Sequence, residues 1–160
     1  MNQPIVSVVM GSKSDLPDVQ ETLNLLEEFN IPYEVKVFSA HRTPDETLTY
    51  VRGLYNRGFK VIIAAAGGAA HLAGVIAGAQ SLPVIGIPMK TSGLGGMDSL
   101  LSIVQMPAGV PVATVAIGKA GCKNAAVLSL TILAAFDEKR HEQLVAYKES
   151  MRESVLSTTL

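Results

Sequence analysis

The stretch VIIAAAGGAAHLAGVIAGA, residues 61–79, decides the fold. It is long and apolar enough to suggest a membrane span. Gly67-Gly68 and His71 interrupt its middle, no aromatic or basic belt flanks it, and the segments around it are amphipathic. A buried strand, a glycine turn and a buried helix account for it better.

Working outward, three more short apolar runs at residues 5–10, 35–39 and 84–89 precede turn residues and, in most cases, a helical pattern; a fifth run, 112–117, follows Pro111. Runs that are apolar on both faces and alternate with helices predict a parallel sheet covered on both sides. The expected architecture is a three-layer α/β/α domain spanning residues 1–160. Val19, Leu23 and Leu26 share one face of the first helix, and Leu48, Val51 and Tyr55 share one face of the second. Residues 120–136 are apolar nearly all round and are expected to be buried on every side, within the domain or between subunits. The last helix, about 137–156, carries Leu144, Tyr147, Met151 and Val155 on one stripe and is expected to pack on a neighbouring subunit.

Composition narrows the function classes. Of 160 residues, 48% are hydrophobic and only 17% charged, so a folded chain this poor in charge hides apolar surface in a homo-oligomer. Thirteen Lys and Arg balance fourteen Asp and Glu, with no basic stripe, which argues against nucleic acid as a partner. The lone Cys122 excludes an internal disulfide, and the first residues lack the basic and long apolar regions of a secretory signal. A cytoplasmic protein without a membrane span is expected.

In an open parallel sheet, ligands bind where loops leave the carboxyl ends of strands and enter helices. After the first strand comes Gly11-Ser12-Lys13-Ser14-Asp15, with Ser14 or Asp15 placed to cap a helix. Its hydroxyls and helix-start N–H groups suit a phosphate and its carboxylate suits ribose hydroxyls, although an ordinary capped turn has the same pattern. After the second comes His41-Arg42 and then Thr43-Pro44-Asp45-Glu46, the pattern of a capping box with proline at the first helical position. After the third comes Gly67-Gly68-Ala69-Ala70-His71, where the backbone must turn sharply or admit a ligand closely.

Histidine suits proton transfer near neutral pH, and the position of His41 favours a shuttle over a turn-bonding residue. Arg42 beside an anion cradle is better used as a planar fork on a phosphate than as a surface ion-pair partner. His71 reads as a histidine satisfied at a helix start, and His141 as solvated surface. No His, Cys, Asp and Glu grouping has metal-ligand spacing, and no serine sits in a nucleophile elbow, so acid–base chemistry without metal or cofactor is expected. Residues 91–97, TSGLGGM, form either a lid over these loops or a loose connection, the lid reading being favoured.

The chain carries MGSKSD at 10–15, SAHRTPD at 39–45, AGGAAHL at 66–72, PVIGIPM at 83–89 and DSLLSIVQMPAGVPVATVAIGKAG at 98–121. On these motifs, in order over nearly its whole length, it resembles the N5-carboxyaminoimidazole ribonucleotide mutase family of purine biosynthesis, the bacterial relatives of aminoimidazole ribonucleotide carboxylase. Ala65 stands where relatives often have Gly, and Ala73 where many have Pro. The resemblance implies a flavodoxin-like domain, an octamer with active sites between subunits, and a cofactor-free transfer of carboxylate from the exocyclic nitrogen to carbon 4 of the imidazole. It also implies that His41 is the acid–base residue and that Ser12, Asp15 and Arg42 bind the ribonucleotide. Ser14 and Ser39 join that binding group, and Gly67, Gly68, Ala69, Ala70, His71 and Leu72 would line the pocket for the migrating carbon dioxide. Two rival readings are direct carboxylation of aminoimidazole ribonucleotide by carbon dioxide and a non-catalytic flavodoxin-like module for a flavin or nucleotide.

Overall fold

The computed structural model describes residues 3–159, so positions 1, 2 and 160 of the expected domain lie outside the described residues. A parallel five-stranded sheet runs in the order β2-β1-β3-β4-β5. Its strands are β1 (Val6–Met10), β2 (Tyr33–Val37), β3 (Val61–Ala66), β4 (Val84–Pro88) and β5 (Ala113–Thr114). Among the described residues six α-helices accompany it: α1 (Leu16–Glu28), α2 (Pro44–Arg52), α3 (Leu72–Ala79), α4 (Met97–Val104), α5 (Lys119–Ala134) and α6 (Glu138–Leu156). This is the flavodoxin-like three-layer α/β/α arrangement.

Strand pleating divides the core into two layers. Val6, Val8, Met10, Val61, Ile63, Ala65, Ile85 and Ile87 pack toward α1, α5 and α6. Val9, Ile62, Ala64, Ala66 and Val84 pack the other way, toward α2, α3 and α4. All of β1, β3 and β4 is buried, which is why these strands read as continuous apolar runs.

The two edge strands depart from the sequence expectation. The run at 35–39 pairs two residues earlier, as Tyr33–Val37, and is only half-buried because one side of an edge strand meets solvent. The run at 112–117 keeps only Ala113–Thr114 as strand, although Val115 N–H still donates to the Gly86 carbonyl at 3.1 Å. Beyond it the Ala116 carbonyl presses on the start of α5, where a Cβ at Gly121 would stand only 1.6 Å from the Ala116 oxygen. Glycine alone admits that approach.

Among the helices, α1 buries Val19, Leu23 and Leu26 as expected and closes in a Schellman motif. Asn30 takes the left-handed conformation at φ 52°, and Ile31 N–H reaches the Leu26 carbonyl at 2.8 Å. Helix α2 buries Thr47 and Val51, but it ends at Arg52, so Tyr55 lies beyond it and is exposed. The expected capping box does not form: the Thr43 hydroxyl turns back to the Ser39 backbone instead. Nor does Ser14 or Asp15 supply the first cap, since Ser12 Oγ accepts from Ser14 N–H at 3.3 Å ahead of a single 3-10 turn.

Helix α5 buries one face, Cys122, Ala125, Ala126, Ser129 and Leu130, while Phe136 just past its end is 93% exposed. In α6, Leu144 is buried and Tyr147 meets Phe29 edge-on at 5.2 Å, so the first half of that stripe packs on its own chain. Met151 and Val155 farther along remain exposed. Among the described residues, no helix is long and apolar enough to cross a membrane. The segment quoted at the outset is β3, a glycine turn and α3.

Candidate active site

Because β1 lies between β2 and β3, the loops after these three strands meet at the carboxyl edge of the sheet. The chain reverses its direction of winding there, and open α/β sheets bind ligands at that switch point. A pocket of about 520 Å³ occupies the place. Ten of the twelve residues singled out from the sequence line it: Ser12, Ser14, Asp15, Ser39, His41, Arg42, Gly67, Ala69, His71 and Leu72. Ala70 is instead buried in the core beneath α3, and Gly68 faces away from the wall, held by α4.

The β1 loop forms a serine-rich 3-10 turn ahead of α1. Ser12 Oγ accepts from Ser14 N–H and from Ser14 Oγ at 2.8 Å, which leaves the Ser12 O–H free to donate into the pocket. Asp15 is half-buried, and burial raises its carboxyl above the usual carboxylate value; the backbone at Ser12 pulls partly back and Asp18 adds to the rise.

Arg42 bridges two loops. Its Nη2 donates to the Gly11 carbonyl at 3.1 Å, and its Nε and backbone N–H reach Ser39 Oγ at 3.4 and 3.2 Å. Two of the five guanidinium donors are thus engaged, and the rest are available to a ligand. Ser39 is itself pinned, its N–H donating to Thr43 Oγ1 at 2.9 Å and its carbonyl accepting from that hydroxyl at 3.1 Å. The hydroxyl that fails to cap α2 therefore fixes the strand end that carries His41 and Arg42.

His41 Nε2 lies 2.9 Å from His71 Nδ1, with the rings edge to face at 5.0 Å between centroids. One ring must donate and the other accept, so each retains one free nitrogen, Nδ1 on His41 and Nε2 on His71. His71 makes no side-chain cap on α3 and serves His41 instead, a pairing across 30 residues. Both histidines are exposed in the single protomer, so the pocket is open on that side.

The loop after β4 supplies to the pocket lining Met89 and Lys90, which the sequence reading left out of the site, and Thr91 and Ser92, which it placed in the lid-or-connection segment 91–97. Thr91 Oγ1 donates to the Asp98 carboxylate at 2.8 Å and accepts from Gly96 N–H at 3.3 Å, which ties this loop to the start of α4. The signal was present: the residues immediately after β4 occupy the same edge as the three loops already chosen.

These features define a doubly wound α/β protein whose pocket, at the topological switch point, brings together a serine-rich turn, an arginine and a hydrogen-bonded pair of histidines. The chain belongs to the AIR carboxylase family, whose model matches residues 5–154. The N5-carboxyaminoimidazole ribonucleotide mutase of Bacillus subtilis is 53% identical over 157 residues, which are 98% of this chain and 97% of that protein. The protein of the same name from Pseudomonas aeruginosa is 56% identical over 152 residues, 95% of this chain and 93% of the relative. The crystal structure of Treponema denticola PurE superposes with a TM-score of 0.86 at 28% identity, over 96% of this chain and 94% of that one.

Proposed function

We propose that the protein converts N5-carboxyaminoimidazole ribonucleotide to 4-carboxy-5-aminoimidazole ribonucleotide in purine biosynthesis. The observation that carries this reading is the convergence of Arg42 and the Ser12–Ser14 cradle with His41 over the small-residue wall of Ala66, Gly67 and Ala69. The cradle and the Arg42 fork bind the phosphate, and Asp15 binds the ribose. Register against His41 is set by the bonds that hold Arg42 to Gly11 and Ser39.

Chemistry then needs two proton transfers. A carbamate loses carbon dioxide most readily when its nitrogen is protonated, so His41 donates a proton there and the C–N bond breaks. The C–N bonding pair stays on the nitrogen, which keeps the donated proton, while a lone pair of the carboxylate oxygen closes the second C=O of carbon dioxide. Carbon 4 of the ring attacks carbon dioxide, and the proton it sheds returns to His41. The proton ledger closes on one residue, with no metal or cofactor in any step. Between the two steps, carbon dioxide must stay in place and dry, which a wall of glycine and alanine permits.

One protomer leaves the histidine side open, so we assign its closure to a neighbouring subunit in a homo-oligomer, the octamer being the form expected. The exposed stripe Met97, Leu101 and Val104 on α4, with Phe136 and Val155, supports such assembly. The cytoplasm is the compartment this reading implies. The same pocket would serve direct carboxylation, and assays at low bicarbonate separate the two. A mutase turns over the carbamate unaided, whereas a rate that depends on added bicarbonate and aminoimidazole ribonucleotide rejects the mutase reading.

A further inference from the structure

Helix α4 lies unusually close to the sheet because β4 has Gly86 at the contact: a Cβ there would stand 2.5 Å from Ile103 Cγ2. That closeness lets Ser99, fully buried, reach the ends of two pocket loops. Its Oγ donates to the Met89 carbonyl at 2.7 Å and accepts from Gly68 N–H at 2.9 Å. A hydroxyl has one proton, so the two bonds use Ser99 as donor to one loop and acceptor from the other. One turn along, Ser102 Oγ donates to the Gly68 carbonyl at 3.2 Å, sharing its proton with the Asp98 carbonyl at 2.7 Å. The Gly68 N–H is therefore taken by α4 and its C=O is shared between α4 and the Ala70 N–H at 2.8 Å, at a turn whose φ of 68° favours glycine.

Two consequences follow for the pocket. Met89, just past β4, and the glycine turn after β3 are joined through one side chain, although Met89 follows Gly68 by 21 positions. The Gly68 N–H is also held by α4, and the cavity wall at this point is formed by its neighbours Ala66, Gly67, Ala69 and Leu72. A buried serine need not do this. Ser129, equally buried, bonds only within its own helix, to the Ala125 carbonyl at 2.8 Å.

We propose that Ser99, assisted by Ser102, is a positioning residue that clamps the Gly68 turn to the Met89 end of β4 and so keeps the released carbon dioxide beside carbon 4. This rests on the mutase reading above. Replacing Ser99 by Ala leaves the buried Met89 carbonyl and the part-buried Gly68 N–H without their partner, and the wall relaxes. The phosphate cradle, on the β1 and β2 loops, is untouched.

The test uses carbamate labelled with carbon-13 in its carboxyl group and measures, above the enzyme-free background, how much turned-over substrate leaks as aminoimidazole ribonucleotide and labelled bicarbonate. For Ser99→Ala we expect the leaked fraction to rise severalfold and kcat to fall about tenfold, with KM within about twofold of the unaltered protein. Ser102→Ala, which loses a single bond to the turn, shifts the leak in the same direction by less and serves if Ser99→Ala does not fold. Ser129→Ala leaves the partition unchanged. A folded Ser99→Ala that leaks no more than the unaltered protein overturns the clamp alone. An unaltered protein that transfers no carboxylate overturns the mutase reading and the clamp together.

Discussion

Gly86→Ala perturbs the close approach of α4 to the sheet with a single methyl. The added Cβ would lie 2.5 Å from Ile103 Cγ2, 2.8 Å from Val112 Cγ1 and 3.3 Å from Ala73 Cβ. Carbon atoms ordinarily rest about 3.5–4.0 Å apart, so the nearest pair is short by roughly 1 Å. Ile103 is fully buried and branched at Cβ, and the three neighbours come from three different segments, so no single side-chain rotation relieves the clash. The helix must move. Overpacking of this kind costs about 1–3 kcal/mol, and the reduced freedom of the unfolded chain returns about 0.4–1 kcal/mol, so the net loss centres on about 1.3 kcal/mol. In a chain of this length each kcal/mol lowers Tm by about 2–4 °C, which gives a fall of roughly 3–5 °C in calorimetry. A shift of about 1 Å would also stretch the 2.7 Å bond from Ser99 to the Met89 carbonyl past the hydrogen-bonding range. The variant should therefore leak carbon dioxide as well as melt earlier. An unchanged Tm together with an unchanged leak would refute both the packing argument and the clamp.

Three further outcomes are expected. Burial pushes the Cys122 thiol up to about 11, with Thr22 pulling partly back and nearby carboxylates adding to the rise, so iodoacetamide at pH 8 should label it only after denaturant unfolds the chain; rapid native labelling would contradict its burial. At Glu34, burial pushes the carboxyl up, but hydrogen bonds from Arg57 at 2.7 Å and Tyr50 at 2.9 Å outweigh it and hold the folded value below the usual one. Its contribution is thus present above the unfolded value, about 4.3, and lost as pH falls through the lower folded value, so Glu34→Gln should destabilise at pH 7 and cost little near pH 2 by urea titration. A cost independent of pH would sink that assignment. Arg42→Lys loses the fork that spans Gly11 and Ser39 and should raise KM about tenfold or more, since charged hydrogen bonds contribute about 1.5–3 kcal/mol; an unchanged KM would remove Arg42 from the phosphate site.

The strands buried on both faces were legible in the sequence because burial on both sides leaves uninterrupted apolar runs. The edge strands β2 and β5 were less so, since solvent on one side admits Glu34 and Lys36, and the last strand keeps only Ala113–Thr114. Thr43 matched a capping box by spacing, yet its hydroxyl had a competing partner in Ser39 that only the fold brings near. The loops of the site could be chosen from the strand–loop–helix pattern alone. Which loops touch could not, because that depends on β1 lying between β2 and β3, the arrangement that joins His41 to His71. The Ser99 clamp was hidden for the same reason: a serine on a helix carries no mark of the two backbone groups it will meet.

The central claim is that one imidazole, on His41, makes both proton transfers. His41→Asn keeps a polar side chain of similar reach but cannot carry a proton, so turnover of the carbamate should fall by at least about a hundredfold while the ribonucleotide still binds within a few-fold of the unaltered protein. Near-normal turnover in a folded, ligand-binding His41→Asn protein would contradict the mechanism at its root.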